Sequence, residues 1–230
     1  MTALNDSQPI LVVEAATAQG SVALLTAAHA PRVRRVCMGV GREDQLFPAI
    51  QELLTEAELS PGALGAVVCG AGPGSFTSLR IAASLAKGLA HGAGCALYAV
   101  PSLLLAAAAL PSDLPAGRYL LHADALRGER YVQAALIHTG GRVEADGSLS
   151  RISTESFAAG TSAADRVVVG PEVPALPSRA AVWPDAARCL QVAGAWREVP
   201  VSLNDWEPEY GRLAEAQVKW EAAHGVSLPG

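Results

Sequence analysis

The stretch Cys69-Gly-Ala-Gly-Pro-Gly-Ser-Phe-Thr-Ser-Leu-Arg80 constrains the fold more than any other part of the chain. The apolar run Ala66-Val-Val-Cys69 reads as a buried strand, and Gly70, Gly72, Pro73 and Gly74 break it. The small-residue segment from Ser78 to His91 then reads as a helix. Strand, glycine loop and helix in succession bring a backbone close to a phosphate, to another helix or to another chain.

The flanking sequence predicts an α/β chain. Ile10-Leu-Val-Val13 is a short buried strand, Glu14–Gly20 a turn and Ser21–Leu25 a returning strand, with a third strand near Arg32–Met38. Leu46, Phe47, Ile50, Leu53, Leu54 and Ala57 follow helical spacing, which predicts an amphipathic helix over Asp44–Leu59 that Ser60-Pro-Gly62 stops. Ala93–Val100 is a further strand, followed by a short helix, Ser102–Leu110. After a linker, Pro111–Gly117, the pattern restarts: Arg118–Ala123 is a strand, Asp124–Glu129 a turn and Arg130–Ile137 a returning strand. Two hairpins about a hundred residues apart, each with an acid (Glu14, Asp124) where its first strand ends, predict a duplicated α/β unit. Residues 139–165 are polar, with a Gly-Gly turn, and Arg166–Gly170 is a brief strand. Beyond it only an alanine-rich helix around Asp185–Ala195 and a terminal helix over Gly211–His224 can be placed. The division expected is 1–110, 111–205 and a terminal helix in 206–230 that packs back on the first unit.

Composition narrows the function classes. Half of the 230 residues are hydrophobic and 17% are charged, so a large core is expected. The net charge is −5 without a basic run, which argues against direct nucleic-acid binding. Cys37, Cys69, Cys95 and Cys189 are scattered, with no CxxC pair. No signal peptide or membrane span is expected, and a reduced cytoplasm fits best.

The glycine loop matches neither the P-loop, which needs Gly-Lys-Ser/Thr, nor the G-x-G-x-x-G fingerprint. Two readings stand: a tight strand-to-helix turn, or an anion site in which Gly72, Gly74, Ser75, Thr77 and Arg80 use the positive end of the helix. The helix behind it also has two readings. Its ridge of Ala82, Ala83, Ala86 and Ala90 packs on the chain's own sheet, or it faces a partner while Leu79, Ile81, Leu85 and Leu89 cover the sheet. No metal-binding histidine pattern and no Gly-x-Ser-x-Gly elbow is present.

Gly72-Pro-Gly-Ser-Phe-Thr-Ser-Leu-Arg-Ile81 is very similar to the signature of the TsaB (YeaZ) family. Ile10–Thr17, Ser21–Leu24, Gln45–Ile50, Lys87–Ala90, Asp124–Tyr131 and Pro208–Arg212 resemble other parts of the family pattern in the same order. The resemblance implies the duplicated fold of the actin, sugar kinase and Hsp70 group. It also implies a non-catalytic subunit of the machinery that forms threonylcarbamoyladenosine beside the tRNA anticodon. Such a subunit binds the catalytic paralogue TsaD through a four-helix bundle built from the first two helices of each partner. The partner surface expected here is Leu46, Ile50 and Leu53 with Leu79, Ala82, Ala83, Ala86 and Ala90. Self-pairing through the same surface, the ATPase TsaE and ATP or ADP at the subunit interface are further expectations. No tightly bound cofactor and no metal is expected, and tRNA is met only through the complex. The chain departs from the pattern at Glu14, where aspartate is usual, at Ala15, Ala16 and Ser78, and at Arg42-Glu-Asp44. The alternative of another class is a nucleotide-dependent phosphotransferase or ATPase of this fold, using Glu14 and Asp124 at a cleft.

Overall fold

The computed structural model describes residues 3–39, 45–111 and 113–210. Its first sheet opens with the antiparallel meander β1 (Ile10–Glu14), β2 (Gln19–Thr26) and β3 (His29–Cys37). The helix α1 (Leu46–Glu56) crosses to β4 (Ala66–Gly70), which lies parallel to β1 with Ile10 opposite Ala66. A second crossover, α2 (Phe76–Ala93), leads to β5 (Ala96–Val100), parallel to β4. The sheet order is β3-β2-β1-β4-β5. β1 and β4 are buried along their whole length, which is why both read as unbroken apolar runs rather than alternating ones.

After the buried helix α3 (Ser102–Ala108), the second sheet repeats the plan. Its strands are β6 (Gly117–Asp124), β7 (Glu129–Ile137), β8 (Val143–Ala145), β9 (Ser150–Ser153), β10 (Arg166–Val169) and β11 (Ala180–Val182), with α4 (Thr154–Gly160) between β9 and β10. The order β8-β7-β6-β10-β11, with β9 also paired to β7, matches the first sheet strand for strand: an antiparallel meander whose first member pairs in parallel with the next strand, which in turn pairs in parallel with the last. This is the duplicated two-subdomain fold of the actin-like group. α4 and β9 fall in the segment that reads only as polar in the sequence, and the helix expected over Asp185–Ala195 is a 3-10 turn, Ala186–Gln191.

Two cores follow from this layout. α1 and α2 cover one face of the first sheet, where Leu46, Ile50 and Leu53 meet Leu11, Val13, Leu24 and Val67. The opposite face packs through α3 onto the second sheet, joining Val12, Val68 and Tyr98 to Leu121, Ala135 and Val167. All seven residues of α3 are buried, so its sequence, Ser-Leu-Leu-Leu-Ala-Ala-Ala, needs no polar face.

The chain returns to the first subdomain before residue 205, the expected end of the second unit. Arg197 O accepts from Leu4 N–H (2.7 Å), Val201 N–H donates to Leu97 O on the edge strand β5 (2.8 Å), and Glu209 N–H donates to Ala71 O (2.7 Å). The return covers the β5 edge, which would otherwise offer unpaired backbone groups. The terminal helix expected over Gly211–His224 lies outside the described residues, as do residues 40–44 at the expected start of α1. Among the described residues no helix is long and apolar enough to cross a membrane.

Candidate functional site

The glycine loop is occupied by its own chain. Glu14, at the end of β1, is fully buried and turns inward behind the loop. Its Oε1 accepts from Ala16 N–H (2.6 Å) and its Oε2 from the Ser102 hydroxyl (2.8 Å). Ser102 Oγ accepts in turn from Gly72 N–H (3.0 Å). A Cβ on Gly70 would collide with the Glu14 carboxylate, so this glycine makes room for the acid. A Cβ on Gly74 would collide with the Ala16 carbonyl, which also accepts from Ser75 N–H (2.8 Å). Gly72 has a positive φ of 86° and faces the Glu209 carbonyl of the return segment. Burial raises the Glu14 pKa from 4.5 to about 7, against the lowering effect of its bonds to Ala16 and Ser102.

This geometry removes Gly72, the Ser75 N–H and Arg80 from the anion reading of the loop. The Gly72 and Ser75 N–H groups are bonded inside the protein, and Gly72 itself is buried. Arg80 lies over the Phe76 ring, 4.9 Å from its centroid, and does not join the loop. Gly74, Ser75 and Thr77 do line a cleft of about 530 Å³ between the subdomains. The loop is therefore chiefly the tight turn of the first reading, built to seat Glu14 and to start α2.

Asp124, the acid of the second hairpin, performs turn chemistry. Its Oδ1 accepts from Leu126 N–H (2.9 Å) and lies 4.0 Å from Arg130 Nη1. Leu126, Arg127 and Gly128 follow with positive φ values of 62°, 52° and 76°. Glu14 faces the core and Asp124 caps a turn, so the two acids do not assemble the paired site that the phosphotransferase alternative requires. Among the described residues no Lys, Arg or His lines the cleft. No cluster of three or more His, Cys, Asp or Glu side chains is placed to share a metal among those residues.

Sequence reasoning missed His122. It is fully buried beneath α4, between Arg130 and Ser178. Arg130 Nη2 donates to His122 Nδ1 (2.7 Å), because a guanidinium can only donate. The ring proton is then on Nε2, which donates to Ser178 Oγ (2.8 Å). Burial, with Arg130 and Arg166 nearby, lowers its pKa to about 3, so it stays neutral and structural. No spacing in the sequence marks it; only the alternation of β6, which puts His122 on the face opposite Leu121, could have done so.

The partner surface also needs correction. Leu46, Ile50, Leu53, Leu79, Ala82, Ala83, Ala86 and Ala90 are all buried in the chain's own core. The alanine ridge faces the sheet because α2 lies close on β4, where only small side chains fit. The outward face of α2 carries Thr77, Ser84, Gly88 and Gly92, exposed, flanked by half-buried Ile81, Leu85 and Leu89. A Cβ at Gly88 or Gly92 would meet nothing within 4 Å. On α1, Phe47 is the large apolar residue left out of the core, 47% exposed. The return segment closes one flank of α2, with Trp206 under Lys87 and Tyr210 against Phe76 (ring centroids 4.5 Å apart). What remains open is one shallow apolar strip on the outside of the α1–α2 layer.

Comparison with known proteins agrees with the fold and with the motif order. The family model described as TsaD, tRNA N6-adenosine threonylcarbamoyltransferase, matches residues 42–149. The tRNA threonylcarbamoyladenosine biosynthesis protein TsaB of Escherichia coli is 34% identical over 122 residues, 53% of this chain and 52% of that protein. The protein of the same name from Bacillus subtilis is 41% identical over 57 residues, 25% of each chain. The chain thus spans about half or less of these curated relatives by sequence. The solved structure of YeaZ from Pseudomonas aeruginosa superposes with a TM-score of 0.72 at 27% identity, covering 87% of this chain and 98% of that one. A second structure, titled as similar to peptidase YEAZ from Pseudomonas aeruginosa, gives a TM-score of 0.74 at 28% identity, covering 89% and 100%. In its loop, hairpins and fold the chain is similar to these TsaB and YeaZ proteins.

Proposed function

We propose that this protein is a non-catalytic subunit of the machinery that forms N6-threonylcarbamoyladenosine in tRNA. It acts by docking the outer face of α1 and α2 onto a TsaD-like catalytic subunit. The observation that carries the reading is the open strip of Ile81, Leu85 and Leu89 beside the small residues Ser84, Gly88 and Gly92, with Phe47 exposed on the neighbouring helix. Small residues on an outward helix face let a second helix approach closely, and the flanking aliphatic and aromatic groups supply the buried area. The likeness to TsaB proteins of tRNA threonylcarbamoyladenosine biosynthesis supports the process, and the inward engagement of Glu14 supports a structural rather than a catalytic part.

In the same proposal, two copies pair through this face when the catalytic subunit is missing. A TsaE-like ATPase joins the assembly, the setting is the cytoplasm, and tRNA is reached only through the complex. ATP or ADP is proposed at the interface with the catalytic subunit.

The test is co-purification of the tagged chain with the TsaD homologue of its host. Gly88→Arg should abolish capture. Replacing a helix-interior glycine also strengthens the helix by about 0.5–1 kcal/mol, so lost capture is not explained by unfolding. Retained capture by Gly88→Arg, or no TsaD with the unaltered chain, would refute the reading.

A further inference from the structure

The flank of α2 that meets the return segment carries positive charge. Arg80, Ser84, Lys87 and His91 recur at intervals of four, three and four residues, so they share one line along the helix, beside the open strip. Arg80 is exposed and lies over the Phe76 ring, 4.9 Å from its centroid, and Phe76 is in turn in contact with Tyr210. Lys87 is half-buried over Trp206, 5.9 Å from its ring centroid. The two cations stand two helical turns apart, about 10 Å along the axis. On other surfaces the arginines find acids: Arg34 pairs with Glu52, Arg35 with Asp185 and Arg118 with Asp146. Among the described residues neither Arg80 nor Lys87 has a carboxylate in ion-pair reach.

We propose that Arg80 and Lys87 are the charged anchors of the docking face, and that the TsaD-like subunit seated there presents carboxylate side chains to them. This inference rests on the docking reading above. A partner that covers the strip of Ile81, Leu85 and Leu89 takes water from the cations at its margin. That loss costs free energy unless the partner brings opposite charge. The aromatic rings hold both side chains in place beforehand, so little rotamer freedom is lost on pairing. RNA phosphates are also anions, but the return segment sets exposed Asp205, Glu207 and Glu209 around Trp206 and Tyr210. With a net charge of −5, the chain repels a polyanion as a whole, while single carboxylates on a protein face still reach the two cations.

The experiment measures binding of the full chain to the TsaD homologue of its host by biolayer interferometry at low and high salt. Association of the unaltered chain should slow about tenfold as salt screens the pairs. Arg80→Met and Lys87→Met remove the charge and keep a flexible apolar contact with each ring. Arg80→Met should weaken binding about tenfold, Lys87→Met about threefold, and the double variant should lose most of the salt dependence. Each should melt like the unaltered chain by circular dichroism; should Arg80→Met fail to fold, the salt dependence of the unaltered chain and Lys87→Met decide. No binding by the unaltered chain would sink the docking reading and this inference together. Binding that Gly88→Arg abolishes, but that methionine at both positions leaves equally tight and equally salt-dependent, would overturn this inference alone. So would variants that keep the TsaD homologue and lose instead self-association or capture of tRNA, since the occupant would then be a second copy or an RNA.

Discussion

Replacing Glu14 with glutamine tests the buried network behind the glycine loop. In the fold the carboxyl titrates at about 7, against 4.5 when solvated. The folded state therefore holds this proton more tightly than the unfolded state does. The stability from this site is fully present below pH 4.5 and is lost as pH rises toward 7. A difference of about 2.5 pKa units at about 1.4 kcal/mol each corresponds to roughly 3 kcal/mol across that window. Glutamine keeps the shape and is neutral at every pH. Its Oε1 can accept from Ala16 N–H as the carboxylate does at 2.6 Å, and its amide can donate to Ser102 Oγ, 2.8 Å from Glu14 Oε2. The assay is urea unfolding followed by tryptophan fluorescence, run on both proteins between pH 4.5 and 8. The variant-minus-parent difference cancels the other titrating groups. It should be near zero at pH 4.5 and should favour the variant by about 3 kcal/mol at pH 8. A difference that does not change with pH, or a variant less stable at pH 8, would refute the account of Glu14 as an acid held by desolvation.

Other outcomes follow from the same contacts. Gly70→Ala drives a Cβ into the Glu14 carboxylate and Ser102, and should destabilise by about 1–3 kcal/mol in thermal melting; combining it with Glu14→Ala should recover part of that loss, because the collision is gone. Ala86→Arg places a charge in the core formed by α2 and β4, and should leave the protein insoluble or without a cooperative melt by circular dichroism.

Most of the scaffold can be read from the sequence because its signals are local. β1 and β4 are short apolar runs with glycine or polar breaks, α1 has helical spacing with one polar face, and the paired hairpins announce the duplication. The orientation of α2 cannot be read this way. Ile81, Leu85 and Leu89 are as apolar as the core requires, and the alanine ridge is as small as a helix contact requires, so both faces satisfy either assignment. The distance from helix to sheet decides between them, and that distance is a tertiary quantity. Glu14 is a similar case. An acid at a strand end suggests a site, but the empty volume that turns it inward belongs to Gly70, and the hydroxyl that holds it belongs to Ser102, 88 residues away. The return segment after Ala195 has no period because it pairs along a strand edge rather than forming an element of its own.

The burial of α3 bears on how such a protein can fold and evolve. The two halves share one strand plan, which is how duplication of an ancestral half would leave them. α3 nevertheless presents apolar side chains to both sheets at once. A first half made alone would expose that helix to water, and a second half made alone would lose the surface that completes its core. The halves are copies in design but not in independence. Calorimetry should record one unfolding transition rather than two.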